Sequence, residues 1–449
     1  MRLPPGPRIP PVAQTLAWIA RPEPFMARSH ERFGDVFTVR LAAVGTLVFV
    51  ADPALLRPIF TADADVLRAG QANAALEPVM GKRSVLLLDG DEHLRARRLM
   101  LPPFHGERLA TYESLIAAIA DRALDHWPLG VPFRLQGRMQ AITLDVIARV
   151  VFGVEEEARL VRLREALKAL VRMSTRRVVM LPWLRRDLGP ASPWRGFLSL
   201  RDDVDRVIYD EIARRRSAAD LHEREDILSL LLTACDEDGR GLSDGELRDE
   251  LVTLLLAGHE TTATALAWGF ERLLRSPAAL GRLTEECRGE DGDGAYLEAA
   301  ALETLRLHPP LPLVARMLTR PWELPGVGEL PPGVMVAPCI WLVHRRAELY
   351  PEPEGFRPER WLGRTPGTYE WLPFGGGRRR CLGGSFAVCE MKAVLRTLLR
   401  RADLRAPDPR PEGMRRRAIV FAPGRGAEAV LVSRRPRTAT PRAASAPAA

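Results

Sequence analysis

The sequence predicts a mainly α-helical fold with small β-sheets, an α+β class. Three observations carry this. An apolar pattern of helical period runs from 244 to 275. Two short, alternating, β-branched stretches, 36–41 and 46–51, read as a hairpin. Apolar residues make up 46% of the 449-residue chain, ample for one large core. No internal repeat or flexible linker divides the chain, so a single domain is expected over 1–433.

The elements follow in order. Residues 1–23 form a proline-rich arm. It holds no apolar run long enough for a signal peptide or a membrane span, so a cytoplasmic protein is expected, with peripheral membrane contact through this end left open. A short helix is predicted over 24–33, the hairpin next, and a further helix over 52–60. The pattern blurs over 61–88. His93 and Arg97 stand four apart, hence on one helical face, while Arg95 and Arg98 fall on other faces and are read as solvated. Several amphipathic helices fill 107–232, with 140–152 apolar enough for a core helix. The stretch 172–196 has weak periodicity, and 236–241 is a polar turn cluster. Ser243 with Glu246 forms a capping box that opens the long helix; Ser276-Pro277 closes it. The last residues, 434–449, contain only Arg, Pro, Thr, Ala and Ser and are expected to be disordered.

Charge and cysteine content exclude other classes. The net charge is +8, but the arginines are scattered, with no long basic run or aromatic-interleaved patch for nucleic acid. The five cysteines, at 235, 287, 339, 381 and 389, are odd in number and form no Cys-x-x-Cys pair. A disulfide scaffold is therefore not expected, and a reducing compartment fits.

Chemistry concentrates at 374–384. Cys381 lies where a glycine-rich loop enters a predicted helix, behind Arg378, Arg379 and Arg380. Unpaired backbone N–H groups and the helix dipole at such a position favour the thiolate, so a lowered thiol pKa is expected. Glycines 375, 376, 377, 383 and 384 would let the backbone approach a flat ligand closely. In the middle of the long helix stands Ala257-Gly258-His259-Glu260-Thr261-Thr262. An acid and hydroxyls in an apolar helix cost stability unless they are satisfied, and such local violations point to function. Glu303 and Arg306, three apart, can pair on one face just before His308-Pro309-Pro310.

Taken together, these motifs resemble those of the cytochrome P-450 superfamily. Phe374, Gly377, Arg379, Cys381 and Gly383 match its haem-binding loop; Ala257 to Thr262 resemble its oxygen-activation motif; Glu303, Arg306 and Arg360 match its conserved-type charge triad. The resemblance implies haem b ligated by the Cys381 thiolate, the axial ligation general to that superfamily. Phe374, Gly375 and Gly383 would line the cofactor, and Gly258 beside Ala257 would let the long helix come close to it. It further implies propionate contacts from Arg379, Arg316, Arg97 and His93, and proton delivery by Thr261 and Glu260, since splitting the O–O bond needs two protons in a dry pocket. His259 is read as packing or contacting water. Glu303, Arg306 and Arg360 would be structural. Leu313, Val314 and Ala315 would face the substrate, and 172–196, with Met180, Leu181 and Trp183, would form a lid.

The expected activity is insertion of one oxygen atom of O2 into a hydrophobic small molecule such as a fatty acid, terpenoid, steroid or polyketide. No flavin or iron–sulfur domain is attached. NAD(P)H electrons would therefore arrive through a separate ferredoxin or flavodoxin with its reductase, docking near Arg378, Arg380 and Lys392. The rivals are a peroxide-driven or rearranging haem-thiolate enzyme, and a non-catalytic haem sensor or carrier.

Overall fold

A computed structural model describes residues 3–437 except 105, 107, 155, 175–184, 188, 190, 191, 290, 291 and 418. The lid residues Met180, Leu181 and Trp183 lie outside the described residues, as do 438–449.

The helices carry the mass of the molecule. At the N-terminal end, α1 (Pro11–Ala20) and α2 (Pro22–Phe33) precede a hairpin of β1 (Val36–Leu41) and β2 (Gly45–Val50). The proline-rich arm is thus helical over much of its second half. Pro11 and Pro22 sit at first helical positions, where proline's missing N–H is not needed and its fixed φ suits the helix. Next come α3 (Pro53–Thr61), capped by Asp52 Oδ1 accepting from the Ala54 N–H at 2.9 Å, then β3 (Leu67–Arg68), α4 (Ala69–Ala72) and α5 (Glu77–Met80). The larger helices follow: α6 (Gly90–Met100), α7 (Arg108–Leu124), α8 (Leu135–Phe152), α9 (Glu157–Ser174), α10 (Pro193–Arg216) and α11 (Ile227–Thr233), with β4 (Pro132–Arg134) before α8.

The central element is α12 (Asp244–Leu273), 30 residues or about 45 Å long. Its start carries the predicted capping box, in which Ser243 Oγ accepts the Glu246 N–H at 3.3 Å and the Glu246 carboxylate accepts the Ser243 N–H at 2.8 Å. Most of α12 is buried, and α8 is its principal neighbour. After α13 (Pro277–Arg288) and α14 (Ala295–Leu307) come β5 (Arg316–Leu318), the small β6–β7 hairpin (Trp322–Leu324, Gly328–Leu330), β8 (Met335–Pro338) and the single turn α15 (Ile340–Val343). The last helix is α16 (Gly384–Arg401), followed by β9 (Ala402–Arg405), β10 (Met414–Arg417), β11 (Val420–Pro423) and β12 (Glu428–Arg434).

The strands assemble into one five-stranded sheet, ordered β1-β2-β8-β5-β3, a three-stranded sheet β4-β12-β9, and the pairs β6–β7 and β10–β11. In the first, β2 runs parallel to β8 with Val48 opposite Val336, and β5 runs antiparallel to β8 with Arg316 opposite Val336. The main hydrophobic core lies among α7, α8, α12, α14 and α16.

Two expectations about exposed segments change. The first tail residues are held: Arg434 ends β12, and Arg437 pairs with Asp121 at 3.0 Å and Asp125 at 2.6 Å. Arg95 is not a free surface cation. It reaches Asp236 at 2.7 Å, Glu246 at 2.9 Å and the Gly241 carbonyl at 2.9 Å, tying α6 to the polar turn before α12. Arg98 is solvated as expected.

Candidate functional site

The cysteine loop is built by close backbone packing. Residues 377–379 form one 3₁₀ turn, and the Cys381 N–H donates to the Phe374 carbonyl at 2.9 Å, closing the loop. At Gly377 φ is +63°, and a Cβ there would stand 2.1 Å from the Phe60 carbonyl oxygen of α3. No other residue type fits both demands. Gly376 and Gly384 instead make room for rings, Phe60 at 3.0 Å and Phe374 at 3.2 Å from the position of an added Cβ. Gly383 has an ordinary φ of −88° and open space; its backbone N–H faces the Cys381 thiol. Gly375, at φ +66°, brings the loop beside Val314.

Cys381 is accessible, yet surrounded by protein. The expectation of a lowered thiol pKa does not hold for the protein alone. Burial raises it, and the Gly383 N–H, Arg97 and Arg380 oppose that rise only in part. Desolvation outweighs the loop's own dipoles, so the thiolate needs a cation placed directly on sulfur.

Arg97 stands beside this sulfur, and α6, β5 and the loop bring Arg97, Arg316 and Arg379 together around His93. His93 is buried and its pKa falls to about 3, through desolvation first and then Arg379, Arg97 and Arg316. It is neutral among three guanidiniums. The three differ in their partners. Arg379 pairs with Asp89 at 2.6 Å and donates to the carbonyls of Val85 (3.0 Å) and Leu88. Its charge is thus already matched, which departs from its expected role as a propionate ligand. Arg97 donates to the Arg380 carbonyl at 2.7 Å, and Arg316 to the Ala315 carbonyl at 2.9 Å. Among the described residues neither has a carboxylate within ion-pair distance. Burial pulls the Arg316 pKa down to about 10. Two such cations call for an external anion.

The α12 side is equally specific. Ala257 is exposed although it lies mid-way along a buried helix, and Thr261, one turn on, donates to the Ala257 carbonyl. Gly258 has a different task from the one expected. An added Cβ there would meet Ile147 Cδ1 at 3.2 Å, so the glycine lets α8 pack closely against α12. Glu260 also turns to protein: Gln140 Nε2 donates to Oε2 at 2.8 Å, and Arg417 Nε stands 3.0 Å from Oε1. Burial raises its pKa, while Arg417 and Gln140 pull it down. Any relay by Glu260 therefore starts from a tethered carboxyl. His259 is buried and neutral, its pKa about 4, with Nδ1 2.8 Å from the Thr143 hydroxyl.

Glu303 and Arg306 pair across their three-residue spacing, and Arg360 and further partners join them. Glu303 accepts two bonds from Arg306, at 2.8 and 2.9 Å, and others from Arg360 (3.0 Å), the Trp361 indole (3.0 Å) and the Arg357 N–H (2.9 Å). Both Glu303 and Arg306 are fully buried. One residue missed by sequence reasoning connects this cluster to the loop. His344 Nδ1 lies 2.9 Å from the Arg306 carbonyl, and its Nε2 accepts the Leu372 N–H at 2.8 Å, two residues before Phe374. A lone histidine in an apolar run carries no signal for this. Asp89, Arg379's partner, was equally hidden, being 290 positions away.

The indistinct stretch 61–88 is pinned to α12. Thr253 donates to Ser84 Oγ at 2.7 Å, Asp249 accepts the Arg83 N–H at 3.0 Å, and Glu250 the Val85 N–H at 2.9 Å. Leu313, Val314 and Ala315 are half-buried beside the loop, Leu313 and Ala315 packing on the core formed by Trp268 and the N-terminal strands.

An accessible cysteine whose thiolate needs a cation on sulfur, two arginines needing anions and a helix open at one alanine suit an iron porphyrin with two carboxylate arms. They define the site of a haem-thiolate protein. The chain belongs to the cytochrome P-450 family: the family model described as "Cytochrome P450" matches residues 4–426. It is 40% identical to cytochrome P450 135B1 of Mycobacterium tuberculosis over 99% of this chain and 94% of that one. It is 39% identical to cytochrome P450 137 of the same organism, over 92% and 86%. Among solved structures it is similar to a retinoic acid-bound cyanobacterial CYP120A1, with TM-score 0.80, 24% identity and coverage of 96% and 100%. The protein is thus a haem-binding monooxygenase of this family, and among its described residues no helix is long and apolar enough to cross a membrane.

Proposed function

We propose that Cys381 would hold haem b through its thiolate, that Arg97 and Arg316 would take its propionates, and that neutral His93 would donate a hydrogen bond beside them. Arg379 acts differently, fixing residues 85–89 against the loop through Asp89. The observation that carries this reading is a pair of guanidiniums, Arg97 beside Cys381 and Arg316 beside His93, neither with a carboxylate within ion-pair distance among the described residues. When bound, the haem supplies O2 activation. The chain's own part is to hold the sulfur, exclude water and deliver protons. Thr261 donates from Oγ towards the open side at Ala257, exchanging its bond to the Ala257 carbonyl. Glu260, whose pKa burial raises, passes protons to it when Gln140 or Arg417 lets go.

The substrate class is a hydrophobic small molecule, a fatty acid, terpenoid, steroid or polyketide, oxidised at the half-buried Leu313–Ala315 side. Electrons come from NAD(P)H through a ferredoxin or flavodoxin and its reductase. Arg378 and Arg380 are exposed for an acidic partner, whereas Lys392 is engaged by Glu298 at 2.9 Å. The test is the carbon monoxide difference spectrum of the reduced protein. A strongly red-shifted band that Cys381→Ser abolishes, with haem retention falling in Arg97→Ala and Arg316→Ala, is expected. An unshifted band in the wild type, or full haem retention in both arginine variants, refutes the assignment.

A further inference from the structure

We propose that the α1 end of the molecule is a lipid-binding face that seats the protein on an anionic bilayer surface without crossing it. The observation is a cluster of large apolar side chains left in solvent. Val12 is 61% exposed, Leu16 62% and Ile19 47%, spaced four and three apart along one face of α1, with Ile9 (48%) just ahead of it. Val44, in the β1–β2 turn, is 53% exposed, and Ile419, in the β10–β11 turn, is 40% exposed. Both turns belong to hairpins that α1 packs against.

The helix cannot roll to hide this stripe, because its other face is fixed. Trp18 is buried edge-on against Phe25, Phe49 and Phe421, with centroids 6.2, 5.8 and 5.6 Å away. Gln14 donates to the Pro7 and Ile9 carbonyls at 3.2 and 2.8 Å and accepts the Arg40 N–H at 2.9 Å. Thr15 Oγ1 accepts the Ala42 N–H at 2.8 Å. Apolar residues held outward in this way mark an interaction site.

Charge selects the occupant. Residues 1–22 contain Arg2, Arg8 and Arg21 and no acid; the first is Glu23, whose carboxylate accepts the Met414 N–H at 3.3 Å. Arg8, Arg21, Arg40 and Arg415 are exposed, and among the described residues none has a carboxylate within ion-pair distance. A short apolar stripe bordered by unpaired arginines matches an interfacial helix. The apolar side chains enter the acyl boundary while the guanidiniums reach lipid phosphates. Anionic headgroups are therefore the ligand, and binding is reversible because few side chains enter. This inference is independent of the haem assignments.

The experiment is co-sedimentation of the full-length holoprotein with vesicles of phosphatidylglycerol and phosphatidylcholine, against phosphatidylcholine alone, at low and high salt. Binding to the anionic vesicles is expected, weakened by salt. Leu16→Asp should lower partitioning about tenfold or more. Arg8→Gln with Arg21→Gln should lower it several-fold on anionic vesicles only. Haem absorbance equal to wild type shows that each variant is folded. Absence of binding, equal binding to both vesicles, or binding unchanged in Leu16→Asp overturns the proposal. A wild-type dimer in solution that Leu16→Asp dissociates also overturns it, assigning the face to a second copy.

Discussion

Glu390 sits on α16, fully buried, and neither carboxylate oxygen has a hydrogen-bond partner among the described residues. Burial alone pushes its pKa up to about 8 from the usual 4.5. The folded state therefore holds a proton that the unfolded chain has released. The stability tied to this proton is fully present below pH about 4.5, declines as pH rises, and is gone above about 8. At about 1.4 kcal/mol per pH unit the rise amounts to roughly 5 kcal/mol, an upper figure because water reaches buried acids. For a chain of 449 residues, 1 kcal/mol shifts the melting temperature by about 1 °C. Glu390→Gln keeps the shape and polarity but cannot ionise. The holoprotein and this variant, melted at a series of pH values, should coincide near pH 5 and separate by up to about 5 °C at pH 8, the variant melting higher. Glu250, also pushed to about 8, titrates in both proteins and cancels. Parallel curves across the range would show that Glu390 is hydrated or paired in solution, and the argument from burial would fail.

Other outcomes follow from the same geometry. Glu303→Gln removes the only carboxylate that meets both Arg306 and Arg360 among the described residues, and should cost about 3–5 kcal/mol, seen as lost holoprotein yield and a lower melting temperature. Gly377→Ala places a methyl against the Phe60 carbonyl at positive φ, so little haem should be retained; Gly383→Ala, with space around it, should retain haem. His344→Leu leaves the Leu372 N–H without its acceptor and should cost about 1–3 kcal/mol, read from thermal melts.

Much of the framework was legible because its signals are local. The capping box at Ser243 and Glu246, the alternation in β1 and β2, and the Glu303–Arg306 spacing all lie within a few residues of chain. What was hidden depends on neighbours far away in sequence. Gly258 reads as an approach to a ligand until Ile147 is found against it. Arg379 reads as a propionate contact until Asp89 is found against it. Arg95 sits off the His93–Arg97 face, which suggests solvent, yet Asp236 and Glu246 come to that side. The thiol pKa of Cys381 was misjudged for a similar reason: the loop dipoles are local, but burial is contributed by the whole fold.

The supports of the cysteine loop have a consequence for biosynthesis. Phe60 comes from the first seventh of the chain, Glu303 and Arg306 from about two thirds of the way along it, and His344 from just upstream of the loop. The loop emerges from the ribosome late, and its shape depends on contacts of long sequence separation, which form slowly. A nascent chain, or one truncated before α16, has no finished seat for the cofactor. Haem capture is accordingly a closing event in the maturation of this protein, and cofactor supply must be matched to completed chains.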